Sequence, residues 1–529
     1  MKRMWLVALA VALIFGVCAT GQVKTLYWNL ASEPPSLDPN IATDTTSHQI
    51  TKMLFAGLVD VEDETAAVIP DIAKSWDFDA ATTTWTFHLR DDAQWTDGTK
   101  VTSADAKYSA LRTLAPETAS EYAAILFVIQ GAEAYNAGTG SREDVGIMTP
   151  DPYTIQFKLN VAAGYFPSIA QLWVCTPVPQ QAIEKYGDAW TEAANIVTSG
   201  PYILGEWVHD DHLILVKNPS YYDVATVKID QVYCTMVNEA STQMAMYESG
   251  RLDVINADIP LEDMDRIKAD PVLSKEFRSA PQLCTYRYGF NAKKPPLDNI
   301  NVRKALASCV DRQSLIDNVL KGNQKPAQTW TCPGIFGYVD GVALGIGYPY
   351  DPEAAKKYLA DAGYPGGVGL PEITLMYNTS QGHAKIAQFI AKGWQETLGI
   401  KVNIVNQEWG VYLNTCHTDA PQVFRMGWCA DYLDGNNWMY DVFYSASGNN
   451  YEKYNVPEFD ALVLEAQGSP DQERRLELYK QAEIMIAERD CAFIPIYFYT
   501  RNTLTKPYVV RTFSALNQEH WNRWDILPH

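Results

Sequence analysis

From Pro295 onward the chain alternates amphipathic helical stretches with short apolar strands, and this alternation narrows its fold more than any other feature. Asn301 to Leu320 reads as a helix, with Val302, Leu306, Val310 and Leu315 near one face. Asp351-Pro352 caps a second helix that closes at Gly363. His383 to Leu398 repeats Ile386, Phe389, Ile390 and Trp394 at helical spacing. It ends at Gly399, which suits the left-handed position after a helix. Lys401 to Asn406 follows as a strand. Pro470 to Asp490 reads as one long helix carrying Leu476, Tyr479, Ala482 and Met485, and Ile494 to Tyr499 as a further strand. Helices interleaved with strands in this way build a parallel or mixed sheet with helices on its faces.

The half before Pro295 is richer in strands. Thr25 to Leu30 is one, broken by Pro34-Pro35-Ser36-Leu37-Asp38-Pro39, and His48 to Leu58 follows as a helix. Thr82 to Arg90 is a strand with Trp85, Phe87 and Leu89 on one side. Thr96-Asp97-Gly98 is its turn, with Gly98 free to take positive φ, and Thr102 to Asp105 has the form of a helix capping box. Tyr153 to Leu159, Ile203 to Val216 and Leu283 to Asn291 carry further strand patterns. A chain of 529 residues is long enough for about three domains, and no repeat or flexible linker separates them.

The N-terminus has the layout of a secretory signal. Lys2 and Arg3 precede an apolar run from Met4 to Val17, and the small residues of Cys18-Ala19-Thr20-Gly21 follow. The run is too short to span a bilayer comfortably. Two outcomes stay open: cleavage after Gly21 to a soluble product, or lipid attachment at Cys18, where Val17 is an unusual preceding residue. Acidic residues outnumber basic ones, 63 to 42, so nucleic acid and anionic lipid are poor partners. Nine cysteines become eight without Cys18, an even number for an oxidising compartment, but spacing cannot fix their pairing.

Patterns for catalysis are missing. No Gly-x-Ser-x-Gly elbow, His-Glu-x-x-His pair or phosphate loop occurs, the eight histidines are scattered, and no Cys-x-x-Cys pair offers a zinc site. This argues against the usual hydrolase and metalloenzyme classes, and no cofactor is expected. One stretch stands out instead, Phe424 to Tyr432: a short strand running into a turn that sets Arg425, Trp428, Cys429 and Asp431 side by side. An Asp after a strand most often caps the next helix, here the one near Asn436. The sharper reading has Asp431 hold a ligand ammonium and Arg425 a ligand carboxylate, because desolvated charges need opposite partners. A free peptide carries both groups.

Gly427-Trp428-Cys429-Ala430-Asp431-Tyr432 is one of four blocks, in order, that resemble the oligopeptide-binding receptors of ABC importers, solute-binding family 5. The others are Leu283-Cys284-Thr285-Tyr286, Asn378-Thr379-Ser380 with His383, and Asn406-Gln407-Glu408-Trp409. The likeness runs from about Leu26 to the C-terminus. It implies an α/β, two-lobed periplasmic-binding-protein fold of cluster C type, with mixed sheets flanked by helices and an extra appended domain. After a signal peptide at 1–21, one lobe comprises residues 23–55, 182–283 and 500–529, the appended domain 56–181, and the second lobe 284–499. The likeness further implies a Cys284–Cys429 disulfide, the remaining cysteines staying unassigned as free buried thiols.

For the site, the resemblance implies a cavity lined by Tyr122, Tyr286, Trp409 and Trp428. Flat amphipathic rings suit pockets that accept many side chains, although each ring alone would more often be core packing. Gly427 and Cys429 offer backbone groups facing Thr45, while Arg425 and His383 meet carboxylates of ligands of different lengths. Where such receptors place a lysine after the helix that follows Asp311, this chain has Leu320, with Lys321 next to it. The expected protein is a monomeric, exported receptor, periplasmic or lipid-anchored through Cys18, that passes short peptides to the membrane permease of an ABC importer. A receptor of the same fold for an oligosaccharide, a nickel chelate or haem is the alternative, but it gives no reason for Asp431 with Arg425 and His383. An exported peptidase or peptide chaperone would need a nucleophile or metal site.

Overall fold

The computed structural model describes residues 23–256, 259–516 and 518–529; the expected signal segment with Cys18 lies outside them. Three main sheets carry the architecture, mixed and helix-flanked as the alternation predicts. The first pairs Thr25–Asn29 in parallel with Gln231–Thr235, and His212–Lys217 and Tyr202–Val208 continue it antiparallel. Its buried Trp28 packs edge-on against Trp521, so the C-terminal tail closes over the first strand. The second is an antiparallel sheet in the order Ala73–Asp79, Thr84–Leu89, Thr154–Lys158, Ile147–Asp151. Ser103–Leu114 packs beside it behind the expected capping box of Thr102 and Asp105.

The third sheet is seven-stranded and carries the site. Along it lie Val254–Ile255, Phe493–Thr505, Phe277–Phe290, Val423–Cys429, Ile373–Asn378 and Val402–Gln407, with Lys325–Pro326 added beside Phe493–Thr505. The two longest strands exceed the sequence expectation of Leu283–Asn291 and Ile494–Tyr499. Each finds a partner in the other, from Phe277 opposite Leu504 to Gly289 opposite Phe493, with irregularities between Pro281 and Thr285 and between Tyr286 and Arg287. Pairing along a neighbour extends a strand beyond what its own alternation predicts.

Three helices differ from expectation. The one expected at His48–Leu58 spans Thr45–Leu54: the Asp44 side chain accepts from Thr46 N and Ser47 N, and Phe55 is already extended. The one expected at Asn301–Leu320 ends at Ser308. Asp311 then caps a new start at Arg312, followed by a wider turn over Ile316–Leu320. The buried Arg312 guanidinium holds that break by donating to the carbonyls of Pro495 and Tyr348. The long helix expected at Pro470–Asp490 starts at Gln472, capped by Asp471, runs to Ile484 and continues as a wider turn over Met485–Arg489, leaving Leu476 exposed. Glu483 is buried there instead, accepting from Trp330 N and Thr331 N.

Candidate functional site

The strand Val423–Cys429 is half-enclosed in its sheet. Its antiparallel register against Phe277–Phe290 places Cys284 opposite Cys429 and Tyr286 opposite Gly427. Those two cysteines form a disulfide across the pair, with Cα atoms 4.1 Å apart, and the other six described cysteines are buried free thiols. Ala430 N donates to Leu283 O, which makes 283/430 a hydrogen-bonded pair and 284/429 and 286/427 the pairs between. The backbone groups of Gly427 and Cys429 therefore point away from Phe277–Phe290. On that other side, Ile373–Asn378 pairs only as far as Phe424. From Gly427 to Cys429 the strand thus presents an unpaired edge, while the Arg425 carbonyl accepts from the Tyr412 hydroxyl.

That edge lines the first of three adjoining hollows, Cys429 reaches the second, and Thr45 and Arg425 line all three. Thr45 is exposed at the first turn of its helix, opposite the strand. The first chamber also contains Asp431, Gly427, Cys429, Trp428, Tyr122 and Trp409. The rings pack as a wall: Tyr122 lies nearly parallel to Trp428 with centroids 6.0 Å apart, and Trp409 nearly parallel to Tyr412 at 6.0 Å. His383 lines the second and third chambers.

Asp431 is only 8% exposed. It does not cap the following helix, because Asp434 takes the N–H of Asn436 there. Its Oδ2 accepts from Asn437 Nδ2 at 2.9 Å, and the same amide group donates to Asp441 at 3.0 Å. No lysine or arginine among the described residues pairs with Asp431. Burial pushes its carboxyl up to about 7, against the lowering hydrogen bond from Asn437. Arg425 has no carboxylate partner among the described residues either. It donates to Asn378 Oδ1 at 3.3 Å and to the Tyr499 hydroxyl at 2.5 Å, and its guanidinium lies 4.7 Å from the Tyr286 ring centre. His383 sits 3.3 Å from the Tyr286 hydroxyl, and burial, reinforced by Arg425, holds its pKa well below the ordinary value.

Tyr286 departs from the expectation that it lines the cavity. It is 0% exposed: its side chain leaves the same sheet face as Arg425 but lies in a layer beneath Arg425 and His383, packed among Tyr288, Tyr497 and Tyr499. Leu320 lines the second chamber, while Lys321 turns out to pair with Asp265 at 2.6 Å. Sequence reasoning missed Asn437 and Asp441, which come from the helix after the turn and carry no local signal. It also missed Tyr499, which the alternating Tyr497 and Tyr499 of its strand could have flagged.

Residues 67–450 match the family model of bacterial extracellular solute-binding proteins, family 5. The chain belongs to that family. It is 36% identical to the periplasmic oligopeptide-binding protein OppA of Escherichia coli over 95% of this chain and 92% of that protein. It superposes with a TM-score of 0.90, at 30% identity, on OppA of Haemophilus influenzae in complex with the peptide RPPGFSPFR, covering 96% of this chain and 100% of that one. Against the murein tripeptide-binding protein MppA of Escherichia coli, 29% identical, the TM-score is 0.90 for one structure, covering 96% of this chain and 99% of that one. It is 0.64 for the unliganded open form, covering 96% and 98%. As a family 5 solute-binding protein, this chain is therefore arranged more like the former than like the open form. Among the described residues no helix is long and apolar enough to cross a membrane.

Proposed function

We propose that this family 5 protein is an exported receptor that binds short peptides between two lobes and delivers them to the permease of an ABC importer. One observation carries the reading. Among the described residues, a buried carboxylate without a cation and a guanidinium without an anion flank an unpaired strand edge in one cleft. A peptide in extended form supplies all three complements: ammonium to Asp431, carboxylate to Arg425 or His383, and backbone to Gly427 and Cys429. Trp409, Trp428 and Tyr122 accept its side chains without reading them closely, and Thr45 faces it from the opposite wall.

The lobes follow the division at 23–55, 182–283 and 500–529 against 284–499, with 56–181 appended. The long strands Phe277–Phe290 and Phe493–Thr505 run through both boundaries and serve as the hinge. Capture involves no covalent chemistry. The protein works as a monomer outside the cytoplasmic membrane, free or held by lipid at Cys18. A sugar, nickel-chelate or haem receptor would leave Asp431 and Arg425 without a task. Native mass spectrometry of the purified protein tests the proposal: bound peptides are expected, and a sugar, haem or chelate as the only bound species would reject it.

A further inference from the structure

The second chamber holds a buried cation that the reading above does not use. Arg501 follows Tyr499 by two positions on the strand Phe493–Thr505, so both side chains leave one face, and both line that chamber. The Arg501 guanidinium meets Glu519 and donates from Nη2 to Asn256 Oδ1 at 2.7 Å. Glu519 is also held by Arg511, whose Nη2 lies 2.8 Å from its Oε2 and 3.2 Å from the same Asn256 oxygen. Two buried guanidinium groups therefore share one carboxylate. Glu262, the acidic residue that lines the chamber, is taken by Lys385 at 2.5 Å. A surplus positive charge in a buried setting is costly until an anion reaches it.

Building on the peptide reading, we infer that Arg501 is a further anchor for a ligand carboxylate, beside Arg425 and His383, serving peptides that run past them. Arg425 touches the Tyr499 hydroxyl, and two residues of strand separate Tyr499 from Arg501, about 7 Å. An extended ligand covers that distance with about two residues. Arg501 is the surplus cation of the pair, because Arg511 lies off the chamber with its guanidinium 4.3 Å from the Trp524 ring centre. Leu320 lines the same chamber and offers no charge, so a ligand end that stops beside it goes unmet. The carboxylate is the C-terminus of a longer peptide or an Asp or Glu side chain near that end.

Calorimetry with alanine peptides of two to six residues, their C-terminal amides, and amides ending in Glu tests the inference on the wild type, Arg501→Gln and Arg501→Lys. Arg501→Gln is expected to weaken the longer peptides by about tenfold or more, as loss of a charge-assisted hydrogen bond does, and to spare the lengths that end at Arg425 or His383. Arg501→Lys should recover part of the loss. On the wild type, with no substitution at all, amidation should cost the longer peptides the same factor, and a terminal Glu on the amide should restore it if a side chain is accepted. Glu519 keeps Arg511 in both variants, so melting temperatures near the wild type are expected. Equal loss at every length would mean that Arg501 only supports Glu519, and no loss at any length would mean that it meets no ligand; either overturns the anchor. Peptide reading and anchor separate cleanly, since peptides that still bind and still depend on Asp431 leave the first intact. A wild type that binds none of these peptides removes both.

Discussion

Asp431 gives up stability in the empty protein so that it can bind. Its carboxyl is raised from the ordinary carboxylate range to about 7, so burial opposes its charge. For an acid with a raised folded pKa, the cost to folding grows as pH climbs from about 4 to 7 and is constant above. Asp431→Asn should therefore raise the melting temperature of ligand-free protein at pH 8, with little change at pH 4. The same substitution should weaken free-amine peptides by about 3–5 kcal/mol in calorimetry, as when a buried charge loses its partner, and N-acetylation of the peptide should match it. A bound ammonium holds Asp431 ionised, so binding below pH 7 releases a proton. Affinity should fall up to about tenfold per unit as pH drops below 7. Above about pH 8 it should fall again as the peptide amine deprotonates. Asp431→Asn should erase the acid limb; an acid limb that survives it would assign the titration to Asp44 or Asp441, which sit in the same region.

At the scale of elements, the disulfide fixes the strand that carries Asp431. Cys284 and Cys429 join Val423–Cys429 to Phe277–Phe290 two residues before Asp431, where pairing to Ile373–Asn378 has already ended. Replacing both cysteines by alanine should lower stability by about 2–5 kcal/mol in denaturant titration and weaken peptide binding. The strand, the turn and the two charges were readable from Phe424 to Tyr432, because they are local. So were the caps at Thr102 and Asp351 and the stop at Gly399. The break at Cys309–Asp311 was not, since Val310 and Leu315 keep a helical period while Asp311 and the distant Pro495 carbonyl decide otherwise. Tyr286 and Asn437 were misplaced or missed for a related reason: the Arg425 and His383 side chains that cover Tyr286, and the docking of the helix that carries Asn437, are set by partners distant in sequence or packing.

At the scale of the whole molecule, exposed polar pairs cross the mouth beside buried contacts such as Gln171 Nε2 to the Asp431 carbonyl and the Tyr122–Trp428 stack. Lys385–Glu262 and Lys321–Asp265 join opposite walls at 2.5 and 2.6 Å, Gln381 reaches Glu239, and His417 meets Glu121. Most of these groups are solvent-exposed, and exposed pairs hold weakly and are screened by salt. Ligand contacts from both walls add to the bias toward closure that the buried contacts already give. Small-angle scattering should show ligand-free protein more extended than the peptide complex. Its closed fraction should shrink further at high salt, while the complex stays compact; a ligand-free radius equal to that of the complex at every salt concentration would contradict this.

The unpaired edge at Gly427–Cys429 also makes the emptied receptor sticky. With no guest in the opened cleft, its bare amides and carbonyls are a template for a strand from another molecule. Protein stripped of ligand should clump in a concentration-dependent way, visible by light scattering, and adding back a free peptide should disperse it. The cargo would then double as a shield for the carrier.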